Sequence, residues 1–245
     1  MRSVKAVFNK QYKSVMNSPE TLIQFAIFPF LAFMMARFVN LDVEGVPYYI
    51  AELIQANQPN MVTMQAVMFA GMALIPSVAG IIAEDIEKKS LRFLVMAGVK
   101  PVAYLVGIGS VMLAIALVPS VAFAWIAGYS GQEFALFTAA MMSGVAASIV
   151  MGATVGILAG NQQSATAISM PLAMVFGFGP MMAQFIEPFE RVLRITYTQQ
   201  LNIVADYFDQ IVDTPLWQSF AIMWANVAVL GIVFAVVYAK KGMKG

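Results

Sequence analysis

Apolar residues along this chain come in long unbroken runs rather than in alternation. Six windows qualify as membrane crossings: Thr21–Val39, Met61–Ala83, Val102–Ala127, Phe134–Ala159, Ala167–Ile186 and Gln218–Ala239. Each is near the length of about 20 residues that an α-helix needs to cross a hydrocarbon core. Lipid offers the backbone no hydrogen-bond partner, so runs of this length predict helices. Lipid-exposed strands would be shorter and would alternate. The expected fold class is all-α: a polytopic membrane protein with six transmembrane helices, residues 1–245 forming a single transmembrane domain.

Two segments depart from this pattern. In residues 1–17, Val4, Val7, Phe8, Tyr12 and Val15 gather on one side of a helical wheel, and Arg2, Lys5, Lys10 and Lys13 on the other. This predicts a basic amphipathic helix lying in the headgroup layer. A positive topology signal that happens to be helical would look the same. Asn17-Ser18-Pro19-Glu20 then reads as a break and a new helix start. Residues 187–217 mix Phe189, Val192, Leu193, Ile195, Leu201, Ile203, Val204 and Phe208 with polar residues. That stretch is too polar to span and too apolar for a free loop. It predicts a short outer helical hairpin after the fifth span, with Tyr197, Tyr207 and Trp217 suited to a membrane interface. Gly177-Phe178-Gly179-Pro180 is a candidate break inside span five.

Charge orients the spans. One side would carry Arg2, Lys5, Lys10, Lys13, Lys88, Lys89, Arg92, Lys100, Lys240, Lys241 and Lys244, which is 11 of the 14 basic residues. The other would carry Arg37, Arg191 and Arg194. The positive-inside rule then places both termini in the cytoplasm, and an even span count agrees. The expected location is the plasma (cytoplasmic) membrane. Composition supports a lipid solvent: 60% of residues are hydrophobic and 11% charged, with a mean hydropathy of +0.78, whereas soluble domains carry about 25% charged residues. The net charge of +1 gives no reason to expect nucleic acid. The first apolar stretch reads as a retained anchor rather than a cleavable signal.

The chemistry is defined largely by what is missing. The chain has no Cys and no His, which removes thiolate and imidazole metal sites and the Ser-His-Asp arrangement. No ionisable residue lies near the middle of a span, which argues against proton coupling and intramembrane hydrolysis. No Gly-x-x-x-x-Gly-Lys-Ser/Thr phosphate loop occurs, so a pump built on this chain needs a motor elsewhere. The chain offers no recognisable catalytic set, so an enzyme is not expected. Gln24, Gln65, Ser148, Thr154 and Gln184 are the polar candidates for lining a substrate path, and hydrogen bonding between helices explains each equally well. The dense small residues of span four, such as Gly152 and Gly156, fit close helix packing.

The loop between spans two and three is the most informative segment. Glu84, Asp85 and Glu87 open it, Lys88, Lys89 and Arg92 follow, and Leu91, Leu94 and Val95 form an apolar face before Pro101. Glu84–Lys88 and Asp85–Lys89 stand at i,i+4 spacing, which predicts ion pairs on a short helix. This order of residues resembles the loop after span two in permease subunits of type-2 ATP-binding-cassette exporters. The amphipathic first helix, the six spans and the hairpin after span five extend the resemblance along the chain. One departure is Lys89, which stands where such permeases usually carry Gly.

The resemblance implies that residues 84–101 hold a coupling helix. Glu84, Asp85, Glu87, Lys88, Lys89, Leu91, Arg92 and Leu94 would then contact a soluble ATP-binding-cassette ATPase. ATP and Mg would sit on that partner, with no cofactor on this chain. A second permease chain would complete the assembly, as a homodimer or with a related chain. The expected cargo is hydrophobic or amphipathic: a drug, peptide or lipid. An ion-coupled or passive transporter without ATPase, and a non-transporting sensor or assembly subunit, remain open on sequence alone.

Overall fold

The computed structural model describes residues 2–40, 58–90, 93, 96 and 98–242. Among them there is no strand. The helices in chain order are α1 (Arg2–Met16), α2 (Pro19–Asn40), α3 (Gln58–Met68), α4 (Leu74–Glu87), α5 (Pro101–Ile126), α6 (Gly131–Ala159), α7 (Gln162–Ala183), α8 (Glu187–Leu193), α9 (Tyr197–Phe208) and α10 (Leu216–Gly242). A π-helical turn, Phe69–Ala73, joins α3 to α4. Among the described residues, six helical stretches are long and apolar enough to cross a membrane: Pro19–Arg37, Met61–Glu87, Pro101–Ile126, Gly131–Ala159, Gln162–Ala183 and Leu216–Lys240. The fold is that of an all-helical bundle suited to a polytopic membrane protein.

Local sequence sets several boundaries. Pro101 opens α5, where its missing amide hydrogen costs nothing. Gly160 ends α6 in the left-handed conformation, with φ 78°. Asn161 caps α7 by accepting from the Ser164 amide at 2.8 Å. The irregularity falls elsewhere than the glycine and proline run suggests. Helix α7 runs unbroken through Gly177-Phe178-Gly179-Pro180, and the disturbance lies in span two. There the Leu74 amide reaches back to the Phe69 carbonyl, five residues away. Pro76, shortly downstream, has no amide hydrogen to give its own preceding turn, and a widened turn relieves the crowding its ring creates. The glycines of α7 serve packing instead. Gly177 admits the π turn, and Gly179 admits Leu193 of α8.

Span two and α6 form the centre: in their most apolar windows 72% and 56% of residues are buried, against 11% in α10. α4 lies on α6 with almost no side chain between them. A Cβ on Gly152 would come 2.6 Å from the Ile75 carbonyl oxygen, and one on Gly156 would come 2.7 Å from that of Ala79. Only glycine permits this approach, and dispersion contact between backbones replaces the hydrophobic drive that lipid removes. Helices α5, α7, α9 and α10 surround the pair, and α1 packs along α5.

Helix α9 is buried on all sides from Tyr197 to Ala205, Thr198, Gln199, Gln200 and Asn202 included. The segment between spans five and six is thus two helices, and the second is seated inside the bundle. Its tip is tied down: Asn226 of α10 donates to the Ile195 carbonyl at 2.9 Å, and the Gln200 side chain donates to the Arg194 carbonyl.

Candidate functional site: a keyed joint at the end of the bundle that carries both chain ends

Asp85 closes α4 and is 6% exposed. A carboxylate so buried needs donors, and it has them from three other parts of the chain. Lys10 Nζ of α1 donates to Oδ1 at 2.5 Å. Gln11 Nε2 of α1 donates to Oδ2 at 2.6 Å. The Tyr104 hydroxyl of α5 donates to Oδ2 at 2.9 Å. Ser90 Oγ sits 3.2 Å from both Oδ1 and the Asp85 carbonyl oxygen. Tyr238, near the end of α10, packs its ring 5.9 Å from that of Tyr104 at a tilt of 43° and reaches the Val99 carbonyl at 3.5 Å. Three helices, α1, α4 and α5, therefore meet on one carboxylate, and α10 adjoins them through Tyr104.

The geometry follows from how α1 docks. Val7, Gln11 and Val15, spaced four apart, form its buried stripe. Phe8 stacks on Tyr12 at 6.2 Å, and Tyr12 and Met16 remain exposed. The apolar side expected from the wheel is thus divided: one stripe faces protein and the other faces outward. Lys10, grouped with the solvated cations by the wheel, turns to Asp85.

Of the other described charged residues in this segment, Glu87, Lys88 and Lys89 are exposed and Glu84 is half-buried. Glu84 forms its expected ion pair with Lys88, and the Lys88 ammonium pKa is raised, chiefly by that hydrogen bond. Asp85 is engaged by Lys10 in the position expected for Lys89. The helix ends at Lys88, and Lys89 is exposed with φ 59°, in the left-handed region. Glu87 is exposed, and its Oε2 accepts from the Gln162 amide at 3.3 Å. Gln162 opens α7, where the helix dipole favours an anion. Leu91, Arg92 and Leu94 lie outside the described residues.

The five polar path candidates are spread out. Gln24 accepts from Ser77 Oγ at 2.5 Å, joining α2 to α4. Gln65 of α3 donates to Met35 Sδ of α2 at 3.3 Å, and its Oε1 is buried without a hydrogen-bond partner. Ser148 is buried and donates to the Ala70 carbonyl at 2.6 Å. Thr154 bonds back to Val150 of its own helix at 2.8 Å. Gln184 is exposed beyond the end of α7.

Sequence reasoning did not assign Lys10, Gln11 or Tyr104 to the site. They stand 75, 74 and 19 residues from Asp85, so no spacing rule links them. The one available signal was a Gln inside the apolar stripe of α1, which needs a partner once that stripe is buried.

Fold and joint together define a class: an all-helical protein compatible with a polytopic membrane protein, with six described helical stretches long and apolar enough to cross a membrane, whose first helix is pinned at the ends of two of them. No protein-family model matches the chain, and no curated protein sequence matches it.

Proposed function

We propose that the chain is the membrane-spanning subunit of an ATP-driven exporter, and that the joint at Asp85 transmits the motion of a soluble ATPase partner to the spans. The observation that carries this reading is the contrast between Asp85 and its neighbours. Glu87, Lys88 and Lys89, with the half-buried Glu84 beside them, offer a charged surface, while Asp85 anchors that surface to α1 and α5. A contact that must push several helices needs such rigidity, because a flexible loop would absorb the displacement. Lys89 adds support. Permeases of the type-2 export class usually carry Gly at this position, and here the backbone adopts the conformation that favours glycine.

In this reading the joint faces the cytoplasm, both termini lie inside, and the membrane is the plasma membrane. The stripe of Phe8, Tyr12 and Met16, with Lys13 beside it, rests in the headgroup layer. The helix pair α8–α9 lies on the outer side. Two copies of the chain pair with two ATPases that bind ATP and Mg, and the cargo is hydrophobic or amphipathic.

The test uses the chain copurified with its ATPase and reconstituted in proteoliposomes with a fluorescent amphipathic probe. Wild type should move the probe only with ATP. The pair of reversals Glu87→Lys and Lys88→Glu should lose the ATPase from the complex and abolish transport, while the chain itself stays folded. The proposal fails if the reversed complex still pumps, or if the chain alone moves the probe without ATP.

A further inference from the structure

Deep in the bundle, four elements meet at one polar point. Ser148 lies 17 residues into α6, about 25 Å along its axis at ~1.5 Å per residue. Its hydroxyl donates to the Ala70 carbonyl of the π turn at 2.6 Å. The Tyr197 hydroxyl lies 2.9 Å from Ser148 Oγ. Ser148 has a single hydrogen, already given to Ala70, so Tyr197 is the donor in the second bond. The Tyr197 ring stacks on Phe176 of α7, with centroids 5.3 Å apart and planes 12° apart. Gly71 of the π turn presses on that same part of α7, where a Cβ would lie 2.5 Å from the Gly177 amide nitrogen.

The two halves of span two are held differently on either side of this point. Below it, towards Glu87, α4 is keyed to α6 through Gly152 and Gly156, and the two helices must move together. Above it, α3 packs on α2 and α9, with no glycine contact to α6. A π turn between a keyed half and an unkeyed half, followed by a proline, is the place where bending costs least.

We propose that the π turn Phe69–Ala73 is a hinge in span two, and that Tyr197 and Ser148 together form its latch. In the latched state the seated helix α9 holds Ser148, and Ser148 holds the turn. When α4 and α6 shift, the chain of two hydrogen bonds opens, α3 is freed to tilt against α4, and α9 is released from the bundle. The hinge and latch are properties of this chain alone and do not depend on an ATPase or a cargo.

The test is hydrogen–deuterium exchange of the full chain in lipid nanodiscs, without nucleotide or partner. Ser148→Ala and Tyr197→Phe should each speed exchange in the peptide covering residues 69–76 by about threefold to tenfold, the range expected for one interhelical hydrogen bond. The double variant should exceed neither single by more than about twofold, because both act on one latch. Tyr197→Phe keeps the ring stack, so its effect on a turn in another helix reports the hydroxyl. Thr154→Ala, which loses only a bond within its own helix, should leave that peptide unchanged. A second readout introduces Cys at Gln210 and Trp125 of the cysteine-free chain for spin labelling. Both latch variants should broaden the distance distribution between those labels. The proposal is overturned if both latch variants exchange as wild type, if their effects add, or if Thr154→Ala matches them.

Discussion

Asp85 shows how little a residue's neighbours in sequence reveal about its role. It sits between Glu84 and Glu87 in an acidic run, yet its carboxylate is the buried hub of the joint and theirs face outward. Two backbone facts explain the split. Successive helical positions are rotated by about 100°, so adjacent carboxylates cannot share a face. α1 also brings Lys10 and Gln11 over only one of those faces. Lys89 is the other residue whose backbone matters. A side chain in the left-handed region costs roughly 1–2 kcal/mol, part of which glycine returns through the greater freedom of the unfolded chain. Lys89→Gly should therefore stabilise the protein by about 0.5–1 kcal/mol, seen as a higher midpoint in thermal unfolding. An unchanged or lower midpoint would mean that the Lys89 side chain contributes contacts that offset its backbone strain.

At the scale of elements, α9 is the least expected helix. Its length falls short of a span and its polar content is high, yet nearly all of it is buried. Its far end carries a second electrostatic feature. Asp206 is pushed up to about 6, first by burial and then by the Asp209 charge. Asp209 is itself raised by burial and by Glu133 of α6. Tyr129, in the turn before α6, is raised by burial and by the same carboxylates. Its ring packs on Phe208 at 5.3 Å. Asn202 donates to Asp206 at 3.3 Å. Among the described residues Asp209 is the charged group that raises Asp206, and Glu133 acts on Asp209 in turn. Because its folded pKa lies above the unfolded value, the native state binds the proton more tightly, and this contribution to stability grows as pH falls below about 6. Thermal midpoints should then rise between pH 7 and pH 5, and Asp206→Asn should flatten that trend while raising the midpoint at pH 8. A pH profile in Asp206→Asn as steep as in wild type would assign the effect to another group.

For the whole molecule, the orientation proposed from the basic residues has a direct test, since a chain without cysteine carries no background labelling. A single Cys at Gln132 should react with a membrane-impermeant maleimide in intact cells, and one at Lys88 only after permeabilisation. The reverse pattern would invert the topology and place the joint outside. The sequence by itself determined the number, length and helical nature of the spans, because a hydrocarbon solvent leaves a long apolar run no other way to satisfy its backbone. Local chemistry sets the helix ends at Pro101, Gly160 and Asn161, though the apolar window alone starts span five late by five residues, at Ala167. Tertiary structure alone decided which residues meet. Asp85 finds Lys10 across 75 positions, and Ser148 finds Ala70 across 78. The glycines of α7 became docking notches rather than a break because other helices fill the space their missing side chains leave. Span two carries the irregularity instead, at a π turn supported by contacts from three other helices that no local pattern records.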